Sequence, residues 1–334
     1  MVRYAFHDLI LEVRQDAAQD GIELQQLLHE LSWNEQGAPA GPGKRSLSLS
    51  ILSYEHAPVV PATAREVLNV EGFRGLEDRG DFYLTDGASL FRLKHGQRLA
   101  EVWLAGSFLH KPPPLRQSFW AFGLLKLLRV EGIFSLHAAG VVAEDGEGIL
   151  LVAEPGSGKS TLTIGLVREG WRYLSDDALL LRSRPEGVEA MALRRHFYID
   201  SSDAGDYSDL GLEGEKPDRS GRPRRRVALD ATYPDQHVSS CTPRVLLFPR
   251  IVPEAHSVLA PLDPAEALRR LLTQSGLQLF DRASSARHLG VLNDLLRQAT
   301  SYELRSGTDL KKKPMELARM LLDAEGQERC LASS

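Results

Sequence analysis

The spacing of hydrophobic positions changes partway along the chain. Up to about residue 115 it favours strands. Ser46–Leu52 (SLSLSIL) sets leucine or isoleucine at every second position, the pattern of a strand with one buried face. Phe82–Leu84 and Leu90–Leu93 are shorter apolar runs with Asp86-Gly87 between them as a turn, and Glu101–Ala105 (EVWLA) is another strand candidate. Gly37–Gly43 (GAPAGPG) is a loop by composition, because glycine and proline sustain neither a helix nor a central strand. Pro112-Pro113-Pro114 then predicts a stiff, extended break.

Beyond the prolines the apolar residues take helical and strand periods in turn. Ser118–Val130 has helix length and an apolar face, Leu136–Val142 reads as a strand, Glu144–Glu147 as a turn, and Ile149–Ala153 as a buried strand. A helix is expected over Ser160–Glu169, stopped by Gly170, followed by two strands flanking Asp176-Asp177. Asp200–Arg226, rich in Gly, Asp and Arg, reads as a polar mobile loop. Val245–Phe248 resumes as a strand and Pro264–Thr273 as a helix, with a helical C-terminus. Strands and helices in alternation with short links indicate an α/β layer. The reading is therefore a smaller N-terminal α+β domain over residues 1–115, with substrate recognition as a candidate role, and an α/β domain over residues 116–325.

Length and composition fit that division. The chain has 334 residues, against roughly 100–200 for one domain. Hydrophobic residues at 43% and charged residues at 25% allow a sizeable core. Forty Lys and Arg against 45 Asp and Glu leave a net charge of −5, whereas a general nucleic-acid binder carries a basic excess. Cys241 and Cys330 are too few for a disulfide framework or a four-cysteine zinc site. His7 and Asp8 interrupt the first apolar run, and Phe119–Phe134 is short and carries Lys126, Arg129 and Glu131. A cytoplasmic protein with neither nucleic acid nor membrane as partner is expected, with homo-oligomerisation left open.

The chemistry is concentrated in Ala153–Thr161 (AEPGSGKST). An apolar strand runs into a glycine-containing loop, then Lys159, Ser160 and a helix, which is the context a P-loop requires. Gly156 and Gly158 permit torsions and close approaches that a Cβ obstructs. With Pro155, Ser157 and Thr161 they would form a cradle whose main-chain N–H groups face the phosphates of ATP. Lys159 would reach the β- and γ-phosphates and the Ser160 hydroxyl would ligate Mg²⁺. Ala153 stands where the consensus has its first glycine. Asp176 and Asp177 follow the next strand, and a kinase uses one carboxylate near Mg²⁺ and often a second to take the acceptor proton. A solvated turn is the bland alternative for an Asp-Asp pair. A core histidine is the bland alternative for His137, and a solvated charge run for Arg222–Arg226 (RPRRR), which could otherwise supply a guanidinium to a transferring phosphoryl group.

Three blocks together resemble the HPr kinase/phosphorylase family and its wider group of HPr-kinase-related proteins. They are Leu136-His137-Ala138-Ala139-Gly140-Val141, Gly156-Ser157-Gly158-Lys159-Ser160, and Glu169-Gly170-Trp171-Arg172 leading to Asp176-Asp177. Val245–Leu272 and Tyr302-Glu303-Leu304-Arg305 look similar to the related proteins, so the resemblance covers roughly residues 117–310. It implies a P-loop kinase domain similar to HPr kinase and phosphoenolpyruvate carboxykinase. It also implies ATP-dependent phosphorylation of a serine hydroxyl on a peptide or small carrier protein. His137 would be the phosphate-site histidine, Ser160 the metal-binding hydroxyl, and Asp176 and Asp177 the metal-binding and base aspartates, with Mg²⁺ as cofactor. An ATP-binding sensor module and a small-molecule kinase on the same fold are the alternatives.

Overall fold

The computed structural model describes residues 1–16, 22–36, 44–70, 72–144, 146–194, 196–217, 221–276 and 282–332. The glycine- and proline-rich stretch at 37–43 lies outside them. The chain is a mixture of helices and several sheets, divided into two units. Met1–Phe134 with Gly276–Leu289 forms the first, and Ser135–Ser275 with Gly290–Ser334 the second.

The first unit is built on a nine-stranded sheet. Its strands are β1 (Val2–Phe6), β2 (Leu9–Gln15), β3 (Asn34–Gln36), β4 (Arg45–Leu52) and β5 (Arg65–Val70). They continue with β6 (Phe73–Asp78), β7 (Asp81–Thr85), β8 (Leu90–Leu93) and β9 (Leu99–Trp103). The order is β3-β1-β2-β4-β9-β8-β7-β6-β5. β4 lies parallel to both neighbours, β2 and β9. The alternation in SLSLSIL is realised directly, with Leu47, Leu49 and Ile51 buried on one face of β4. At the Asp86-Gly87 turn the Asp86 carboxylate accepts the N–H groups of Ala88 and Ser89 at 2.9 and 2.6 Å. Gly87 has φ +91°, a conformation that favours glycine there.

Two helices accompany this sheet, α1 (Ile22–Glu30) and α2 (Pro113–Val130). The prolines start α2 instead of holding an extended break, since proline at the first helical positions forfeits no intrahelical hydrogen bond. The unit division accordingly falls after Phe134, beyond α2, and not at the prolines. The physical reason is packing. Phe119 is fully buried and meets Phe108 and Phe73 at centroid distances of 5.1 and 5.6 Å. A Cβ on Gly123 would come within 2.7 Å of the Phe91 ring.

The first unit also takes back Gly276–Leu289. Arg129 Nε donates to Ser284 Oγ at 2.9 Å, its Nη1 lies 3.2 Å from His288 Nδ1, and the His288 ring stacks on Phe134. Burial, and then the Arg129 charge, push the His288 pKa down to about 3. A histidine freed by unfolding takes up a proton near pH 6.5, so between those values the unfolded chain binds more protons. The stabilisation is present above about pH 6.5 and is lost as pH falls, at up to about 1.4 kcal/mol per pH unit. Urea midpoints between pH 8 and pH 5 should therefore fall towards acid, less steeply in His288→Gln. Equal slopes would show that His288 protonates freely in the folded chain.

The second unit holds three sheets. Its strands open with β10 (Phe134–Leu136), β11 (Ala138–Val142), β12 (Gly148–Val152), β13 (Arg172–Ser175), β14 (Leu179–Arg184) and β15 (Gly187–Ala192). Next come β16 (Phe197–Asp200), β17 (Leu212–Pro217), β18 (Pro223–Val227) and β19 (Ser240–Cys241). β20 (Pro243–Ile251), β21 (Val258–Pro261) and β22 (Thr300–Ser306) complete the set. The helices are α3 (Lys159–Arg168), α4 (Leu229–Thr232), α5 (Pro264–Gln274), the second half of α6 (Arg282–Gln298, whose residues up to Leu289 belong to the first unit), α7 (Thr308–Lys312) and α8 (Met315–Ala332). The six-stranded sheet has the order β13-β11-β12-β20-β22-β21, with β12, β20 and β22 parallel. The other two sheets have the orders β10-β14-β15-β19 and β16-β18-β17.

α3 is apolar on two sides, and this decides what surrounds the loop before it. Leu162 and Leu166 join the core of the six-stranded sheet, with Ala139, Val141 and Leu151. Ile164 and Val167 join a second core with Tyr173, Phe197, Ile199 and Val227, which brings in β16 and β18. Of the expected mobile loop over Asp200–Arg226, residues 218–220 lie outside the described residues, and the rest forms a 3-10 turn (Ser201–Tyr207), β17 and most of β18. Tyr207, Leu210 and Val227 bury apolar surface in that second core, and the antiparallel ladders satisfy the main chain. The expected strand Leu136–Val142 is interrupted at His137, whose N–H donates to the Gln274 carbonyl at 2.8 Å.

Candidate active site

β12 ends at Val152 and α3 begins at Lys159, so Ala153–Gly158 is the loop between them. Gly156 and Gly158 have φ of +83° and +90°, conformations that L side chains adopt at a cost. This is the reason for glycine at both positions. A Cβ on Gly158 would meet only Ile251, at ordinary contact distance, so torsion and not crowding fixes the residue. Pro155 and Gly156 are exposed at the tip, while Ser157, Ser160 and Thr161 are half-buried. The loop is drawn together by the Ser157 N–H to the Glu154 carbonyl at 3.4 Å.

Lys159 is buried and turns back over the loop. Its ammonium donates to the carbonyls of Ala153 and Glu154 at 2.5 and 2.9 Å, and lies 3.4 Å from His137 Nε2. Burial lowers the Lys159 pKa to about 8, with Asp176 and Asp177 pulling the other way. An ammonium has protons to give and no lone pair, so His137 Nε2 is the acceptor in this contact. The His137 pKa is lowered, first by burial and then by Lys159, while a hydrogen bond to the Asp177 main chain opposes the shift. A neutral His137 thus connects the loop lysine to the acid pair.

The acids follow β13. Asp176 is buried, and its Oδ2 accepts the Tyr198 N–H at 3.1 Å. Burial raises the Asp176 pKa, and the neighbouring Asp177 charge raises it further. The Ser160 hydroxyl, the Tyr198 N–H and the Arg224 guanidinium act in the opposite sense. Asp177 is half-buried, with Oδ2 3.5 Å from Arg194 Nη1. The Oδ1 atoms of both aspartates are buried and, among the described residues, meet no direct hydrogen-bond donor. Buried carboxylate oxygens without donors are costly unless something cationic faces them.

Asp176 Oδ1 and the Ser160 hydroxyl fit a small hard cation. Among the described residues no cluster of three His, Cys, Asp or Glu could hold a metal by itself. Mg²⁺ is usually held by one or two carboxylates together with substrate phosphates and water. The structure therefore gathers His137, Lys159, Ser160, Asp176 and Asp177 in one place, with the Pro155–Ser157 tip and Thr161 adjoining Lys159 and Ser160 along the chain. Sequence reasoning missed Arg194 and the Tyr198 main chain. Arg224 lies in the RPRRR stretch, where the sequence alone singles out no one arginine.

No family model matches the chain, and no curated protein matches it. Among solved structures, the HPr(Ser) kinase/phosphatase from Coxiella burnetii is similar over 60% of this chain and 94% of its own, with 10% identity and a TM-score of 0.34. The likeness is a distant one. Among the described residues no helix is long and apolar enough to cross a membrane.

Proposed function

We propose that this protein is a magnesium- and ATP-dependent kinase that phosphorylates a serine hydroxyl on a peptide or small protein. The observation that carries the reading is the pair of donor-less buried carboxylate oxygens, on Asp176 and Asp177, beside a strand–loop–helix bearing Lys159 and Ser160. Main-chain N–H groups at the start of α3 would bind the nucleotide phosphates, with Gly156 and Gly158 setting the turn. Lys159 would exchange its two carbonyl partners for phosphate oxygens, a charge-assisted contact stronger than the one it leaves.

Ser160 and Asp176 would hold the cation, because the Ser160 hydroxyl already lies against the Asp176 carboxyl. Mg²⁺, when bound there, would neutralise charge on the phosphate oxygens. Asp177, half-buried and reachable, would take the proton from the acceptor hydroxyl as its oxygen bonds to the γ-phosphorus of ATP and the bond from that phosphorus to the β–γ bridging oxygen breaks, releasing ADP. His137 would orient Lys159 against Asp177.

The acceptor is testable directly. Incubating the protein with γ-labelled ATP and a lysate should transfer label to a polypeptide, recovered as phosphoserine. Label on a small molecule alone would favour the small-molecule kinase. ATP binding with no label in any acceptor would favour the sensor.

A further inference from the structure

Arg224 reaches the acid pair by a route of its own. It lies on β18, opposite Asp200 of β16, and its Nη2 donates to the Tyr198 carbonyl. The N–H of the same residue donates to Asp176 Oδ2 at 3.1 Å. Both main-chain polar groups of Tyr198 are therefore spent on side chains, one on the aspartate and one on the arginine. β16 is an edge strand of its three-stranded sheet, so its outward groups are open to such partners. The Arg224 charge also acts on Asp176 and Lys159.

We propose that Arg224 is a positioning residue for Asp176. Through the Tyr198 main chain it fixes Asp176 Oδ2, which leaves Oδ1 as the oxygen offered to the cation. This rests on the magnesium–nucleotide reading above. A planar guanidinium holds a carbonyl and the strand behind it more rigidly than a flexible amine or amide does. Residues that orient a metal ligand from behind typically change metal affinity by about 10–100-fold when replaced. The Arg224 role is thus expected in the metal dependence of binding and not in the phosphate cradle.

The test is ATP affinity of the full chain, measured by calorimetry with Mg²⁺ and with EDTA, in wild type, Arg224→Gln and Arg224→Lys. Arg224→Gln should keep the wild-type affinity in EDTA and lose about tenfold of the gain that Mg²⁺ confers. Arg224→Lys should fall between the two and carries the test if the glutamine variant does not fold. A full Mg²⁺ gain in either folded variant overturns the proposal. So does an equal loss with and without Mg²⁺, which would assign Arg224 to the nucleotide or to structure alone. Absence of Mg²⁺-dependent ATP binding in the wild type would instead remove the underlying nucleotide reading.

Discussion

Lys159→Ala is expected to weaken ATP binding by about 10–100-fold while the chain stays folded. The ammonium is buried and already donates to two loop carbonyls, so it is held where phosphate oxygens would lie rather than searching from solvent. Hydrogen bonds to charged groups contribute about 1.5–3 kcal/mol each, which at about 1.4 kcal/mol per decade gives the expected loss. Folding is not at risk on the same scale, because burial already lowers the Lys159 pKa and so opposes its charge. The measurement is ATP affinity by calorimetry, beside circular dichroism and a urea midpoint. A folded Lys159→Ala chain with wild-type ATP affinity would remove the loop from the function.

What the sequence disclosed and what it hid have separate physical causes. The alternation in Ser46–Leu52 and the strand, loop and helix around Gly156–Ser160 are written in consecutive residues, so local period is enough to find them. Ile149–Ala153 and Ser160–Glu169 were displaced by a single residue from β12 and α3. The three prolines were misread because their effect depends on position. At the first turn of a helix they restrain the chain in the direction it already takes. Asp200–Arg226 has no period because its strands are held by ladders between β16, β17 and β18, and by scattered residues such as Tyr207 and Val227. The same cause hid Arg194 and Arg224. Each meets the site through tertiary contacts, Arg194 at Asp177 and Arg224 at Tyr198, so the run Arg222–Arg226 shows a guanidinium source but not which arginine, and Arg194 stands in no run at all.

Asp177→Asn is expected to leave ATP affinity and its Mg²⁺ dependence near wild type while phosphoryl transfer falls at least about a hundredfold. The two aspartates are adjacent in sequence but differ in surroundings, and this separates their roles. Asp176 is buried, bound to the Tyr198 N–H and set against the Ser160 hydroxyl, all fixed partners suited to a metal ligand. Asp177 is more exposed and its ion pair to Arg194 is long, at 3.5 Å, so its carboxylate can reach an incoming hydroxyl. General-base assistance is typically worth about 10²–10⁴-fold, or roughly 3–5 kcal/mol of barrier. Asparagine keeps the shape of aspartate and loses its basicity. Asp176→Asn should instead change the Mg²⁺ requirement, since a neutral amide is a poorer ligand for a hard cation. Burial already disfavours the charge on Asp176, so its neutral replacement should fold. Single-turnover transfer to the labelled acceptor, with ATP affinity measured separately at several Mg²⁺ concentrations, distinguishes the two variants. Wild-type transfer in Asp177→Asn would exclude Asp177 as the base, and wild-type transfer in both would leave the acid pair as an ordinary buried turn.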